Sequence, residues 1–309
     1  MQICERVVED VATTFIRRMR DELIVDTFAL LDWYNRADAS GKIFEFVVSN
    51  FDVLQLVDLR RLIVCVVDRA LYNWFHLLQS TNEIQLLIVY ENEEGTDEAV
   101  NLLTCAPHLP QCLFGAGGWV SKYSCLRSPY TWAEEVLSLW DYTRVTVVPL
   151  RLPPLPDFPD ASVEWYERTA LQQAAMDKFG SWLIQVVRDK TMDEWLNLLA
   201  GQEPEDVWLA MQARSMLDGW AERLQRVRRL KEDIVFEIIL SKIDSLLHSM
   251  LYIIHSPEYA IMVETPLGRV YDLKSVPMLV HLAAELFGDE GWIARFSRYP
   301  RASVDRDAG

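Results

Sequence analysis

Four sets of residues in this 309-residue chain have the types and spacing that chemistry asks for. Arg69 and His76, in DRALYNWFH, stand two helical turns apart on one face. An arginine there can hold a phosphate while the imidazole moves a proton. Cys105, His108, Cys112 and Cys125 are the donor types that zinc prefers. Their spacing departs from the common finger patterns, and a helix is expected to run through part of it. Glu91, Glu93, Glu94, Asp97 and Glu98 put five acids into the eight residues ENEEGTDE. They are too close in sequence to act as an acid–base pair on one bond. They suit a basic partner, or a solvated hairpin turn. Last, His108 with Trp119 and His281 with Trp292 occur as two matching pairs, able to line a cleft or to close a core.

These last pairs belong to a repeat. Residues 88–124 and 261–297 align without a gap at an offset of 173, with identical residues at 11 of 37 positions. The centre of the match reads HLPQCLFGAGGWVSKYS in the first copy and HLAAELFGDEGWIARFS in the second. Upstream, Val67-Asp68 matches Ile243-Asp244 at an offset of 176, on apolar positions at the period of a buried helix face. Further back, Arg20-Asp21 matches Arg188-Asp189 at 168. The implied architecture is two tandem copies of one helix-rich unit, packed about a pseudo-two-fold axis. Each unit reads as a helical hairpin, a long buried helix, a short β-hairpin, a helix and a Gly-Trp turn. In the second copy Tyr259–Glu264 is the strand, 265–268 the turn and 269–273 the return. A helix is predicted from Val276 and Pro277 to about Phe287, stopped at Gly288.

The Arg-x6-His spacing of Arg69 and His76 resembles the catalytic motif of HEPN-type ribonucleases, all-helical domains common in bacterial defence and toxin systems. The resemblance covers eight residues. It implies an arginine and a histidine on one helix that meet their counterparts across a dimer and cleave RNA without metal. The second copy departs from it, with Ser245 and Tyr252 at the aligned places. The cysteine set departs likewise, since the second copy retains only the histidine.

Composition narrows the classes. Half the residues are hydrophobic and eleven are Trp, which indicates a packed globular chain. The longest apolar run, Leu62 to Val67, is six residues, where a membrane span needs about 20. The start MQICERVVED lacks the pattern of a secretory signal, so a cytoplasmic location is expected. Five cysteines, all in the first half, point to reduced thiols. A net charge of −16 repels phosphates and disfavours general nucleic-acid binding, while attracting basic partners. No dinucleotide, phosphate-loop, nucleophile-elbow or zinc-protease signature occurs.

The expected fold is α+β and predominantly helical. Residues 1–128 form the first unit, 129–160 a connector with a Pro-rich linker, 161–300 the second unit, and 301–309 a disordered tail. The expected function is non-enzymatic: an acidic, cofactor-free protein that binds a basic protein, in the manner of a bacterial immunity protein or toxin inhibitor. The metal-independent ribonuclease and a small-molecule sensor with its cleft between the repeats remain the alternatives.

Overall fold

The computed structural model describes residues 2–33, 53–91, 95–114, 117–126, 166–200, 202, 232–265, 267–276, 279 and 281–299. The expected connector 129–160, the tail 301–309, and Glu93 and Glu94 lie outside the described residues.

Each half opens on one long helix; residues 34–52 and 203–231, where the second arm of the expected helical hairpin would fall, lie outside the described residues. In the first half α1 (Gln2–Thr13) passes through a π-helical stretch, π1 (Thr14–Asp21), into α2 (Glu22–Trp33). In the second, α7 (Tyr166–Trp182) passes through π2 (Leu183–Asp189) into α8 (Lys190–Leu199). The residues flanking each π stretch keep helical backbone angles, so nothing breaks the run. No proline occurs between residues 2 and 33 or between 166 and 199, so the backbone has no stop there. A π stretch shifts the side-chain register within a helix. Here it leaves the sequence neighbours Arg20 and Asp21 both buried, as are Arg188 and Asp189.

The two longest helices form the centre. They are α3 (Val53–Ser80) and α9 (Glu232–Ile254). Every residue from Leu62 to Leu78 is buried, the all-round burial of a helix with neighbours on each side. α3 packs on π2 of the other half and on α9, while α9 also meets π1. Both halves therefore share one hydrophobic core.

The sheet crosses the halves in the same way. β1 (Ile84–Glu91) and β2 (Asp97–Asn101) form one hairpin; β3 (Tyr259–Glu264) and β4 (Val270–Asp272) form the other. The order is β2-β1-β3-β4, antiparallel throughout. Leu87 pairs with Ala260, flanked by Leu86 with Ile261 and Ile88 with Tyr259. Leu87 and Ala260 are 173 residues apart, so β1 and β3 meet at their aligned positions. Lys178 of α7, fully buried, donates from Nζ to the Glu83 carboxylate and the Glu264 carbonyl at the ends of the two central strands.

After β2 come three short helices, α4 (Leu102–Cys105), α5 (Leu109–Leu113) and α6 (Trp119–Tyr123). After β4 comes a 3-10 turn, Leu273–Ser275. Of the predicted helix from Val276 to Phe287, Pro277, Met278 and Val280 lie outside the described residues, and its second half is a 3-10 turn, Leu282–Leu286, followed by α10 (Trp292–Phe296). His281 is extended and opens that turn as its N-cap. Gly118 and Gly291 precede the aligned tryptophans for a shared reason. A Cβ there would lie 2.6 Å from the Phe114 carbonyl or 2.5 Å from that of Phe287.

The thiol expectation is corrected as well. Cys4 and Cys105 form a disulfide, with Cα atoms 4.9 Å apart. Packing of α1 on α4 brings the two residues together across 101 positions. Cys65, Cys112 and Cys125 stand outside this disulfide. No helix among the described residues is long and apolar enough to cross a membrane.

Gly180 in α7 tests the packing directly. A Cβ at this position would lie 2.5 Å from the indole of Trp292. Gly→Ala inside a helix ordinarily stabilises by about 1 kcal/mol. Here Gly180→Ala is expected to destabilise by about 1–3 kcal/mol, read as a lowered denaturant midpoint. A neutral or stabilised variant would show that Trp292 does not sit against α7.

Candidate functional site

The described polar interior is dominated by two matching clusters. In the first, π1 presents Arg20 and Asp21, α3 presents Asp68, and Ser124 follows α6. The Arg20 guanidinium takes Asp68 through Nε and Nη2, the latter at 3.1 Å. Its Nη1 donates to Asp21 at 2.7 Å and to the Ser124 hydroxyl at 3.2 Å. The Ser124 hydroxyl donates to Asp21 at 2.9 Å, and the Cys125 amide donates to the same carboxylate at 2.6 Å.

The second cluster repeats the wiring. Arg188 takes Asp244 through Nε at 2.5 Å and Nη2 at 3.3 Å, and donates from Nη1 to Asp189 at 3.3 Å and to Ser297 at 2.5 Å. The Ser297 hydroxyl and the Arg298 amide each donate to Asp189 at 2.7 Å. An Arg–carboxylate fork is the strongest neutralising contact available to a buried guanidinium. The first cluster sets one cation against two carboxylates, whereas in the second the Arg298 guanidinium also approaches Asp189, with Nε at 3.8 Å. Burial pushes the carboxyl of Asp68 up in the first cluster, against the pull of Arg20. In the second, burial pushes Asp189 up, against donors from Arg298 and Ser297. Both guanidinium groups are sealed from solvent, so the clusters act on the fold and not on a ligand.

Arg69 and His76 fall into this interior too. Arg69 donates to Glu194 of α8 through Nε at 2.7 Å and Nη2 at 2.6 Å, and lies over the Tyr72 ring. His76 is buried, with the Tyr72 ring centroid 6.0 Å away. Asn73, between them, donates to Thr191 at 2.9 Å and to Glu194 at 3.1 Å. The opposite helix crossing has a different base: Asp26, aligned with Glu194, faces Lys242. Burial lowers the Lys242 pKa to about 8, and Asp26 opposes that shift.

The remaining candidates are dispersed. Trp119 and Trp292 are buried, edge-on to Phe75 and Phe179 at 5.4 and 5.6 Å, and are wedges in the core rather than the floor of an open cleft. His108 is exposed, whereas His281 stands against Tyr252 and His255. Cys105 is consumed by its bond to Cys4, Cys112 is half-buried and Cys125 exposed. Among the described residues no group of three or more His, Cys, Asp or Glu is placed to hold a metal. Glu91, Asp97 and Glu98 are exposed on the outer hairpin, with Tyr90 donating to Glu98 at 2.7 Å.

Sequence reasoning missed two groupings. Every polar member of the paired clusters is a repeat-identical residue, and identity of charged residues within apolar helices was the signal. The other is His248 and Tyr252 on α9 and His255 just past its end, at steps of four and three, with His281 and Phe287 against them. No protein-family model, curated protein or solved structure matches the chain.

The Arg69–Glu194 fork yields a pH test. Burial raises the Glu194 carboxyl, but Arg69, Lys190 and the Asn73 amide outweigh it and hold it below its ordinary value. Its contribution to stability is present above about pH 4.3 and is lost as pH falls through the lower folded value. Glu194→Gln is expected to cost about 3–5 kcal/mol at pH 7, because Arg69 stays buried without its countercharge. The gap to the parent should narrow toward pH 3, as measured by denaturant unfolding across pH. A gap that stays constant would refute the assignment.

Proposed function

We propose that the chain is a non-enzymatic acidic binding protein that docks a basic protein through the β1–β2 hairpin, as an immunity-type inhibitor docks a toxin or nuclease. The observation that carries this reading is the exposure of Glu91, Asp97 and Glu98 on the sheet's outer hairpin, in a chain of net charge −16. β2 is an edge strand, and its first three residues are exposed. An edge that carries carboxylates repels a second copy of itself, while remaining open to a cationic surface.

The reading includes the architecture: two copies of one unit about a pseudo-two-fold axis through the Leu87–Ala260 pair. The β1–β3 register and the twin arginine clusters support it. The second hairpin differs in character, with Leu267, Arg269 and Val270 exposed where the first has acids. Duplication thus supplies the frame, and one copy supplies the acidic surface.

The ribonuclease reading ranks behind this one. Arg69 is buried and forked onto Glu194, so a phosphate has no approach to it in this arrangement.

The test is capture from native-host lysate at low and high salt, with the parent and a variant in which Glu91, Glu93, Glu94, Asp97 and Glu98 become amides. A basic protein is expected that is lost at high salt and held roughly tenfold or more weakly by the variant. Capture indifferent to both changes, or no capture together with RNA cleavage by clean protein, would overturn the proposal.

A further inference from the structure

Three of the chain's five histidines gather on one face of the second half. His248 and Tyr252 lie on α9, His255 follows its last residue, and His281 precedes the 3-10 turn Leu282–Leu286 that packs on that helix. The rings of His255 and His281 are 4.1 Å apart, and Tyr252 stacks on His281 at 4.9 Å. His248 stacks on Phe287 at 5.8 Å. This face is open, with Tyr252 64% exposed and Phe287 37% exposed.

One hydrogen bond sets the protonation state of the pair. The amide of Ala283 donates to Nδ1 of His281 at 3.1 Å, which caps the turn. An acceptor nitrogen carries no proton, so the ring proton of neutral His281 sits on Nε2. Nδ1 of His255 is buried with no hydrogen-bond partner among the described residues. We propose that His255 and His281 form an acid-sensitive latch, holding the turn 282–286 on α9 when neutral and releasing it when protonated.

Release follows from two effects. A proton on Nδ1 of His281 sets two N–H donors against each other, and the cap on Ala283 is lost. A second proton on His255 places like charges in adjoining rings. The surrounding groups lean the same way. Lys274, donating from Nζ to the carbonyls of Ser256 and Tyr259, adds positive charge beside His255; Asp272 opposes it. Glu258, in the turn before β3, acts on Lys274, and His248 adds to the repulsion at His281. Glu285, within the turn, is the remaining acid on this element. Burial, then the neighbouring cations, holds both imidazoles below their ordinary value. Latch stability is therefore complete above about pH 6.5 and is lost as pH falls through the lower folded values.

The first half provides an internal control. Its aligned residues are Gln79, which does not titrate, and His108, whose side chain caps nothing. The pair is not poised as a metal site either, because Nε2 of His281 is a donor and no third ligand stands with the two rings among the described residues.

Hydrogen exchange followed by mass spectrometry at pH 7.5 and pH 5.0 tests the latch. After correction for intrinsic exchange, protection of residues 283–286 should fall roughly tenfold or more at the lower pH. Protection of β1 and β3 should hold. His281→Asn keeps a capping acceptor that does not titrate, and His255→Gln introduces the first half's residue. Both should remove most of the acid response. Unchanged protection in the parent, or an equal fall in His281→Asn, would overturn the proposal. Should the variants fail to fold, NMR titration of the parent's imidazoles decides. Midpoints for both rings below about 6.5 support the latch, and ordinary midpoints contradict it.

Discussion

A buried guanidinium cannot shed its proton, so it must be met by carboxylates wherever the fold places it. Arg20 and Arg188 impose that requirement twice. Each joins three separate stretches of chain: the opening helix, the long central helix, and the segment after the Gly-Trp turn. The π stretches serve it by turning Arg and Asp inward together. Gly118 and Gly291 serve it by allowing the chain to double back closely enough to deliver Ser124 and Ser297. Removal of either member strands a charge away from water. Such pairs fix which segments meet more than they add to net stability.

Around this shared frame the halves diverge where the frame does not constrain them. At one helix crossing an acid meets Arg69, and at the aligned crossing an acid meets Lys242, one helical turn away along the long helix. The stacked pair Tyr72–Phe114 is buried, while its counterpart His248–Phe287 is open. One hairpin carries carboxylates and the other carries Leu267 and Val270. The identical residues of the two arginine clusters are occupied with holding the fold together, while the exposed surfaces differ.

Much of the frame was legible in the residues. Period-two runs and glycine turns marked β1, β3 and β4, and the buried period of α3 and α9 was clear. The π stretch inside each opening helix was not, because it leaves no composition signature and merely shifts an apolar pattern. The stretch 282–286 differs from the predicted helix because its apolar spacing suits an α-helix as well as a 3-10 turn. Only the extended backbone at His281 separates them. The Cys4–Cys105 bond depends on tertiary proximity across 101 residues, which spacing cannot show. Among candidate site residues, exposure of the acid hairpin followed from charge. The burial of Arg69 did not, because its partner Glu194 lies 125 residues away.

The account stands or falls on the two arginine clusters, and a pair of double-mutant cycles tests them most directly. Arg20→Met with Asp68→Leu, and Arg188→Met with Asp244→Leu, would be measured singly and together by denaturant unfolding. Coupling of about 3 kcal/mol or more is expected at both clusters. Coupling below about 0.5 kcal/mol at either would contradict the claim that these forks organise the fold.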